Sequence, residues 1–425
     1  MKQKTISALT VMIFLLSCSN KDNSIISEIQ TENGKISRID FNLIPAEIKE
    51  LKLSDLINDF RFIPLETKKE CLISNTMIEF SSDFIFVGTQ NFPGAARLYR
   101  FDKNGKFINE IGKSGQGPGE HIGYLADVIH SYEDNNTVLV SWGGGQGEKP
   151  QLFNIDGTLI EEINLPFRLR YINKWSDSIW FSPGAFAGNA KMISDSIALV
   201  FYNSNGKILK KIPRRLYPPK NLSEYTPTPW APSIYKYNDH WRLFMEGNDT
   251  IFKIVDMNLI PISVLASTKD ILPYNKPVSA DELPGKYHIR ILAENNNNLY
   301  IDKSVIKKVD LKQFSPGQWG GSFTNDDQLI IIDKKSNKAS NLKITDDIFH
   351  LFPDELFSQL LKWQDDRLFF SVPPIFITKL LKELDIETLD NKSAIETIEK
   401  LKIIPSDDNP VIFTFSLKDR VRILD

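Results

Sequence analysis

The residues best suited to chemistry lie in the run Glu110 to His121, EIGKSGQGPGEH. Gly112, Gly115, Gly117 and Gly119 give its backbone freedom to bend and to turn amides toward an anion. Glu120 and His121 close it with a carboxylate and an imidazole. The run is not a nucleotide-binding loop, because no Gly-Lys-Ser/Thr opens a helix and no helix follows a Gly-rich turn. A sharp bend between strands accounts for the same composition. The five histidines, His121, His130, His240, His288 and His350, show no zinc-ligand spacing. Asp102-Lys103-Asn104-Gly105 opens like a calcium loop but lacks the bidentate Glu that completes one. No Gly-x-Ser-x-Gly nucleophile turn is present. The sequence therefore assigns no catalytic residue, metal ligand or cofactor, and calcium stands only as a candidate.

Aromatic residues offer a second kind of chemistry. The stretch Arg214 to Tyr237, RRLYPPKNLSEYTPTPWAPSIYKY, carries five prolines beside Tyr217, Tyr225, Trp230, Tyr235 and Tyr237. Proline stiffens such a segment and lowers the cost of ordering it on a partner. Exposed Trp and Tyr stack on sugars or anchor a protein. Packing between two strand layers is the competing role. Trp142, ahead of the flexible Gly143-Gly144-Gly145-Gln146-Gly147, is a further candidate. The binding candidates are thus Tyr217, Tyr225, Trp230, Tyr235, Trp142, Gly117, Glu120 and His121.

These residues hang on a repeating framework. Six times an Asp or Asn leads into an apolar strand: Asp83 into FIFV, Asn136 into TVLV, Asp177 into SIWF, Asp239 into WRLF, Asn298 into LYI and Asp366 into RLFF. The spacing suits one β-propeller blade per repeat. A second signal is a hairpin with Asn104-Gly105, Asp156-Gly157 or Asn205-Gly206 at its tip, residues that accept positive φ. TIFKIVDMNLIPISVL is a degraded copy turning at Met257-Asn258, and LIIIDKKSNKASNLKI is another with a longer loop. The expected fold is all-β, a six-bladed β-propeller with blades over 46–115, 116–167, 168–230, 231–273, 274–345 and 346–421. A propeller gains by closing its ring with a strand from the other end of the chain. ISRIDFN, within 35–45, is expected to complete the last blade in that way. A helical insert is expected over about 353–402. Its first part, PDELFSQLLKW, has helical spacing, and its last has a capping box of Ser393 and Glu396.

Composition excludes other classes. The chain is 41% hydrophobic and 25% charged, ordinary for a globular protein. Its 51 basic residues are outnumbered by 54 acidic ones and no basic block stands out, so nucleic acid is not the expected partner. Lys2 and Lys4 ahead of the apolar run Ile6 to Leu16 have the form of an export signal. No other stretch is apolar and long enough to span a bilayer. Only Cys18 and Cys71 are present, so no disulfide framework is expected, and Cys71 suits a small buried site.

Leu15-Leu16-Ser17-Cys18 resembles a bacterial lipobox. The resemblance implies a signal peptide over 1–17 and a lipid on Cys18, followed by a tether over 18–34 and the propeller over 35–425. Phe101-Asp102, Gly105-Lys106 and Gly112 through Glu120 look like an NHL-type propeller repeat. With the lipobox, FRFIPLET, GQGPGE, the late helical insert and DDNPVIFTFSLK, nearly the whole chain is similar to the six-bladed propeller lipoproteins of Bacteroidota. That resemblance implies a TolB-like architecture and carries no settled activity. Ser178, Ser196 and Thr250 each follow an Asp and precede Ile, a pattern resembling an O-glycosylation sequon of such bacteria. The expectation is a monomeric, lipid-anchored envelope protein, on the periplasmic side or the outer surface, that binds a protein or glycan. The alternative is a metal-dependent hydrolase or lyase at the mouth of the channel.

Overall fold

The computed structural model describes residues 24–421 apart from 33, 74, 91–95, 118, 123–124, 133–135, 144–148, 167–168, 170, 184–196, 214–223, 226–231, 246–248, 267–269, 273–277, 316–317, 353–360, 365–366 and 385–391. Its strands form six four-stranded antiparallel blades over 75–111, 125–162, 173–213, 233–266, 287–345, and 362–417 with 57–64. Each expected blade span contains one of these sheets. The second strand of each blade is one of the Asp- or Asn-led runs.

Those runs are mostly apolar because both of their faces are largely buried, with Arg242 and Arg367 as their charged members. In the first blade Ile85 and Val87 join the core shared with the sixth, and Phe86 joins the core shared with the second. Val138 and Val140 face back to the first blade, and Leu139 faces the third. Tyr300 packs toward the sixth blade, and Leu299 and Ile301 toward the fourth. Six clusters thus fill six seams, and every inter-blade wall is a hydrophobic core. Fully burying one such Phe or Ile contributes about 1.5–3 kcal/mol.

An N-terminal strand closes the last blade, as expected, but a different one. Ile57–Pro64 pairs antiparallel with Val411–Leu417 and supplies the sixth blade's outer strand. Gly34–Asp40 instead runs parallel to Asn258–Ala266, on the outside of the fourth blade. Ile26–Thr31 pairs with it, so the later part of the expected tether is folded. Ile48–Lys52 then runs parallel to Lys338–Thr345, outside the fifth blade. A helical turn, Leu53–Leu56, leads into the closing strand. The N-terminal chain is therefore a strap along the outer edges of three consecutive blades. A sequence-only reading places one strand at the sixth blade because a parallel strand added outside a complete sheet leaves no gap in the repeat count.

The late insert also differs in detail. Pro374–Glu383 and Lys392–Lys402 are helices between the second and third strands of the sixth blade. Ser393 lies inside the second helix rather than ahead of it. Lys362–Gln364 is a strand, so Trp363 does not end a helix, and 353–360 lies outside the described residues. The tip of the fourth hairpin is Asp256-Met257, both at positive φ, one residue before the expected pair. Cys71 is fully buried, as expected; its thiol donates to the Glu66 carbonyl at 3.3 Å and burial pushes its pKa up.

Candidate functional site

Antiparallel alternation sorts the connections between two faces. Links from first to second strand and from third to fourth reach one face, and the rest reach the other. On the first face the described links are short, including 81–83, 103–106, 155–158, 177–178, 204–207, 238–239, 256–257, 295–297 and 334–337. Every described Asp/Asn lead and every Gly hairpin belongs to this short-turn face, and Asp366 lies outside the described residues. The opposite face carries the Gly-rich run, the short strand Glu224–Tyr225, the two late helices and a ribbon from the fifth blade. That ribbon is formed by Asn298–Ser315 and Gln318–Asp333. The first strand of the blade pairs with it only as far as Val305, so the ribbon continues alone for about 30 Å at ~3.3 Å per residue. On a rigid scaffold, long connections are where functional residues tend to collect.

The Gly-rich run is a closed loop. Lys113–Ser114 pairs with Glu120–His121, and the Gly115 N–H donates to the His121 carbonyl at 2.9 Å. The Gly117 N–H donates to Glu120 Oε2 at 2.8 Å, so the loop's own carboxylate occupies the place of an outside anion. His121 and Trp142, each 4% exposed, stack at 3.4 Å between ring centroids, and Trp142 Nε1 donates to Gln151 Oε1 at 2.9 Å. Gly117, Glu120, His121 and Trp142 thus meet at the first–second seam as the floor of the long-connection face, and Trp142 presents no exposed platform. Asp102 Oδ1 accepts the Asn104 and Lys106 N–H groups at 2.8 and 2.9 Å, which spends the supposed calcium-loop carboxylate on its turn.

The Pro/aromatic segment is described at few points. Tyr217 and Trp230 lie outside the described residues. Glu224–Tyr225 pairs with Val278–Ser279, which joins the third–fourth connection to the fourth–fifth one. Tyr235 is separate from them. It stands on the inner strand of the fourth blade, toward the short-turn face, where its hydroxyl donates to Glu294 Oε2 at 3.0 Å. Burial, with the Glu294 charge adding, raises its pKa far above the ordinary tyrosine value. Cys18 also lies outside the described residues.

The described polar concavity on the long-connection face is the cleft between the fifth and sixth blades, about 140 Å³. Arg290, Asp302, Asp327 and Gln328 line it beside Trp363, with Leu292, Leu329, Leu342 and Leu361 as apolar wall. Arg290 Nη2 donates to Asp302 Oδ2 at 3.1 Å, and Ser304 Oγ donates to Asp327 Oδ1. Burial raises the pKa of Asp302; Arg290 opposes this and Asp327 adds to it. Burial pulls the imidazole of His288 down to about 4, against the attraction of Asp327, so it is neutral at pH 7. The Trp363 ring packs on Tyr300 at 5.2 Å, which fixes it at the cleft wall. This set of carboxylates, guanidinium, amide and indole over an apolar wall suits a ligand rich in hydroxyls. Sequence reading misses it because its members come from four strands and meet only across a seam. Among the described residues no group of three or more His, Cys, Asp or Glu is arranged to hold a metal ion.

The fold and this site define a six-bladed propeller with one elaborated face. The chain belongs to a family known as a domain of unknown function, DUF4934, whose pattern matches residues 36–416. A Bacteroides fragilis protein assigned as exported has 16% sequence identity and a TM-score of 0.60, over 90% of this chain and 99% of its own. A DUF4221 family member from Bacteroides vulgatus has 13% identity and a TM-score of 0.48, over 85% of this chain and 97% of its own. No curated protein matches the chain. No described helix is long and apolar enough to cross a membrane.

Proposed function

We propose that the chain is a lipid-anchored, non-catalytic binding propeller of the cell envelope that engages a glycan or protein through its long-connection face. The observation that carries this reading is that, among the described residues, the Gly-rich loop, the fifth-blade ribbon and the late helices lie on one face, with the polar fifth–sixth cleft among them. In this reading Cys18 bears the lipid, and the NHL- and TolB-like features describe the scaffold. The strap supports the orientation. Ser24 and Ile26 are held by Asn337, in a turn of the short-turn face, where Ile26 N donates to Asn337 Oδ1 at 2.6 Å. Five residues separate Cys18 from Ser24, a reach of about 18 Å when extended. The short-turn face then points to the membrane and the long connections point away.

Glycan-array binding by the chain from Ser24 onward tests the reading. Trp363→Ala and the pair Asp302→Asn/Asp327→Asn should each weaken the retained glycan about tenfold or more, as for lost hot-spot contacts. Undiminished binding in both variants would remove the cleft from the account. An enzymatic reading is favoured by one feature, the raised carboxyl of Asp302 beside Asp327, which suits a proton donor. Turnover of the bound glycan, lost in Asp302→Asn, would establish it, and bound metal in the purified protein would make it metal-dependent.

A further inference from the structure

We infer that the seam between the fourth and fifth blades, on the short-turn side, holds a phosphate-class oxyanion. The inference starts from Arg242, on the second strand of the fourth blade. Only 8% of it is exposed, and its Nε and Nη1 atoms are buried without a hydrogen-bond partner. The guanidinium sits 5.3 Å from the centroid of the Tyr237 ring. No ion pair reaches it among the described residues.

Its neighbours sharpen the imbalance. Lys253 stands directly opposite Arg242 in the strand register. Phe244 and Ile251, two residues from each, pack into the fourth–fifth core, so Arg242 and Lys253 point into the same seam. Like charges directly opposite on a sheet repel, and Lys253 has no ion pair among the described residues either. From the fifth blade Lys334 adds a third cation, 4.4 Å from the same Tyr237 ring. Glu294 is the acid in this group, and it is spent: Oε1 accepts from Lys334 Nζ at 2.7 Å and Oε2 accepts from the Tyr235 hydroxyl at 3.0 Å.

A buried guanidinium without a counter-charge is costly, and a buried polar group left unsatisfied in a native fold calls for an ion or a ligand. Two facing cations with a third nearby suit a doubly charged phosphate better than a single carboxylate, and guanidinium donors match phosphate oxygens in geometry. Two sources can supply that phosphate: the free ion, or a phospholipid headgroup. The second rests on the proposed anchor, because Lys334 shares its turn with Asn337, which holds Ser24.

Thermal unfolding of the chain from Ser24 onward, with inorganic phosphate exchanged for chloride at constant ionic strength, tests the site. Phosphate should raise the wild-type Tm by a few degrees, and the rise should disappear in Arg242→Gln and in Lys253→Gln. The half-buried Lys253 variant keeps the test decisive if Arg242→Gln does not fold. Co-sedimentation with phosphatidylglycerol vesicles, against phosphatidylcholine vesicles, separates the sources. Anionic-vesicle binding lost in Lys253→Gln assigns the headgroup, and a phosphate response without vesicle binding assigns the free ion. Equal responses in wild type and both variants, or no response to phosphate or vesicles, would overturn the proposal. Neither arm depends on the glycan cleft.

Discussion

Gly105 lies against Pro64 so closely that a Cβ on the glycine would come within 2.3 Å of the Pro64 carbonyl oxygen. Gly105 tips a hairpin of the first blade, and Pro64 ends the strand that closes the sixth, so the contact is the clasp of the ring. Two further hairpin glycines make the same approach: Gly157 on the Glu110 carbonyl and Gly206 on that of Asn164. Gly105→Ala should cost about 2–4 kcal/mol, because backbone must move and φ is +85°. Gly34→Ala, at φ +115° with open space around it, should cost only about 1 kcal/mol. Denaturant midpoints of the two variants check the contrast.

Asp346 is almost wholly buried, and its carboxylate accepts the N–H groups of Ile348, Phe349, Leu351 and Phe352 at 3.3, 2.9, 3.1 and 3.4 Å. Like Glu120, it fills an amide nest with the chain's own charge. Asp346→Ala should lower stability by about 3 kcal/mol, because four donors lose their acceptor in a dry connection. Asp346→Asn, which keeps one oxygen, should lose less. Calorimetry of the pair separates these outcomes.

The strap and the closing strand should differ in their importance. Removing 24–45 strips strands from the outside of an already complete fourth blade, and the remainder should fold with a lowered Tm. Ile63 is buried in the sixth–first seam, so Ile63→Asp places an unpaired charge in the core that closes the ring. That variant should fail to fold. Circular dichroism melts compare them.

Two imidazoles set an acid limit. Burial lowers His130 and His288 to about 4, against about 6.5 in an unfolded chain. The unfolded chain then binds more protons between those values. Their contribution is whole above about pH 6.5 and is lost as pH falls toward 4, each worth up to about 3 kcal/mol. The raised carboxyl of Asp302 runs the other way, favouring the folded chain below the ordinary carboxylate range and losing that as pH rises. The double variant His130→Gln/His288→Gln should flatten the fall in Tm between about pH 7.5 and 5. A fall as steep as in wild type would refute the assignment.

What the sequence made legible was the short-turn face. Asp83, Asn136 and the glycines at 105, 157 and 206 repeat because every blade needs the same turn there. The long-connection face has no such repetition, and its chemistry depends on which residues meet across a seam. Arg290 and Asp302 are twelve positions apart and Trp363 is far downstream, yet they share one cleft. The strap was hidden for a related reason. A parallel strand such as Ile48–Lys52 pairs with a blade nearly three hundred residues later and needs no local turn.

The central claim is that the long-connection face binds the partner. Hydrogen–deuterium exchange with the glycan retained on the array tests it most directly. The account predicts slowed exchange across 287–306, 325–330 and 361–364, with no change in the turns 103–106, 204–207 and 334–337. Protection confined to those turns, or absent from the cleft strands while the glycan is bound, would contradict it.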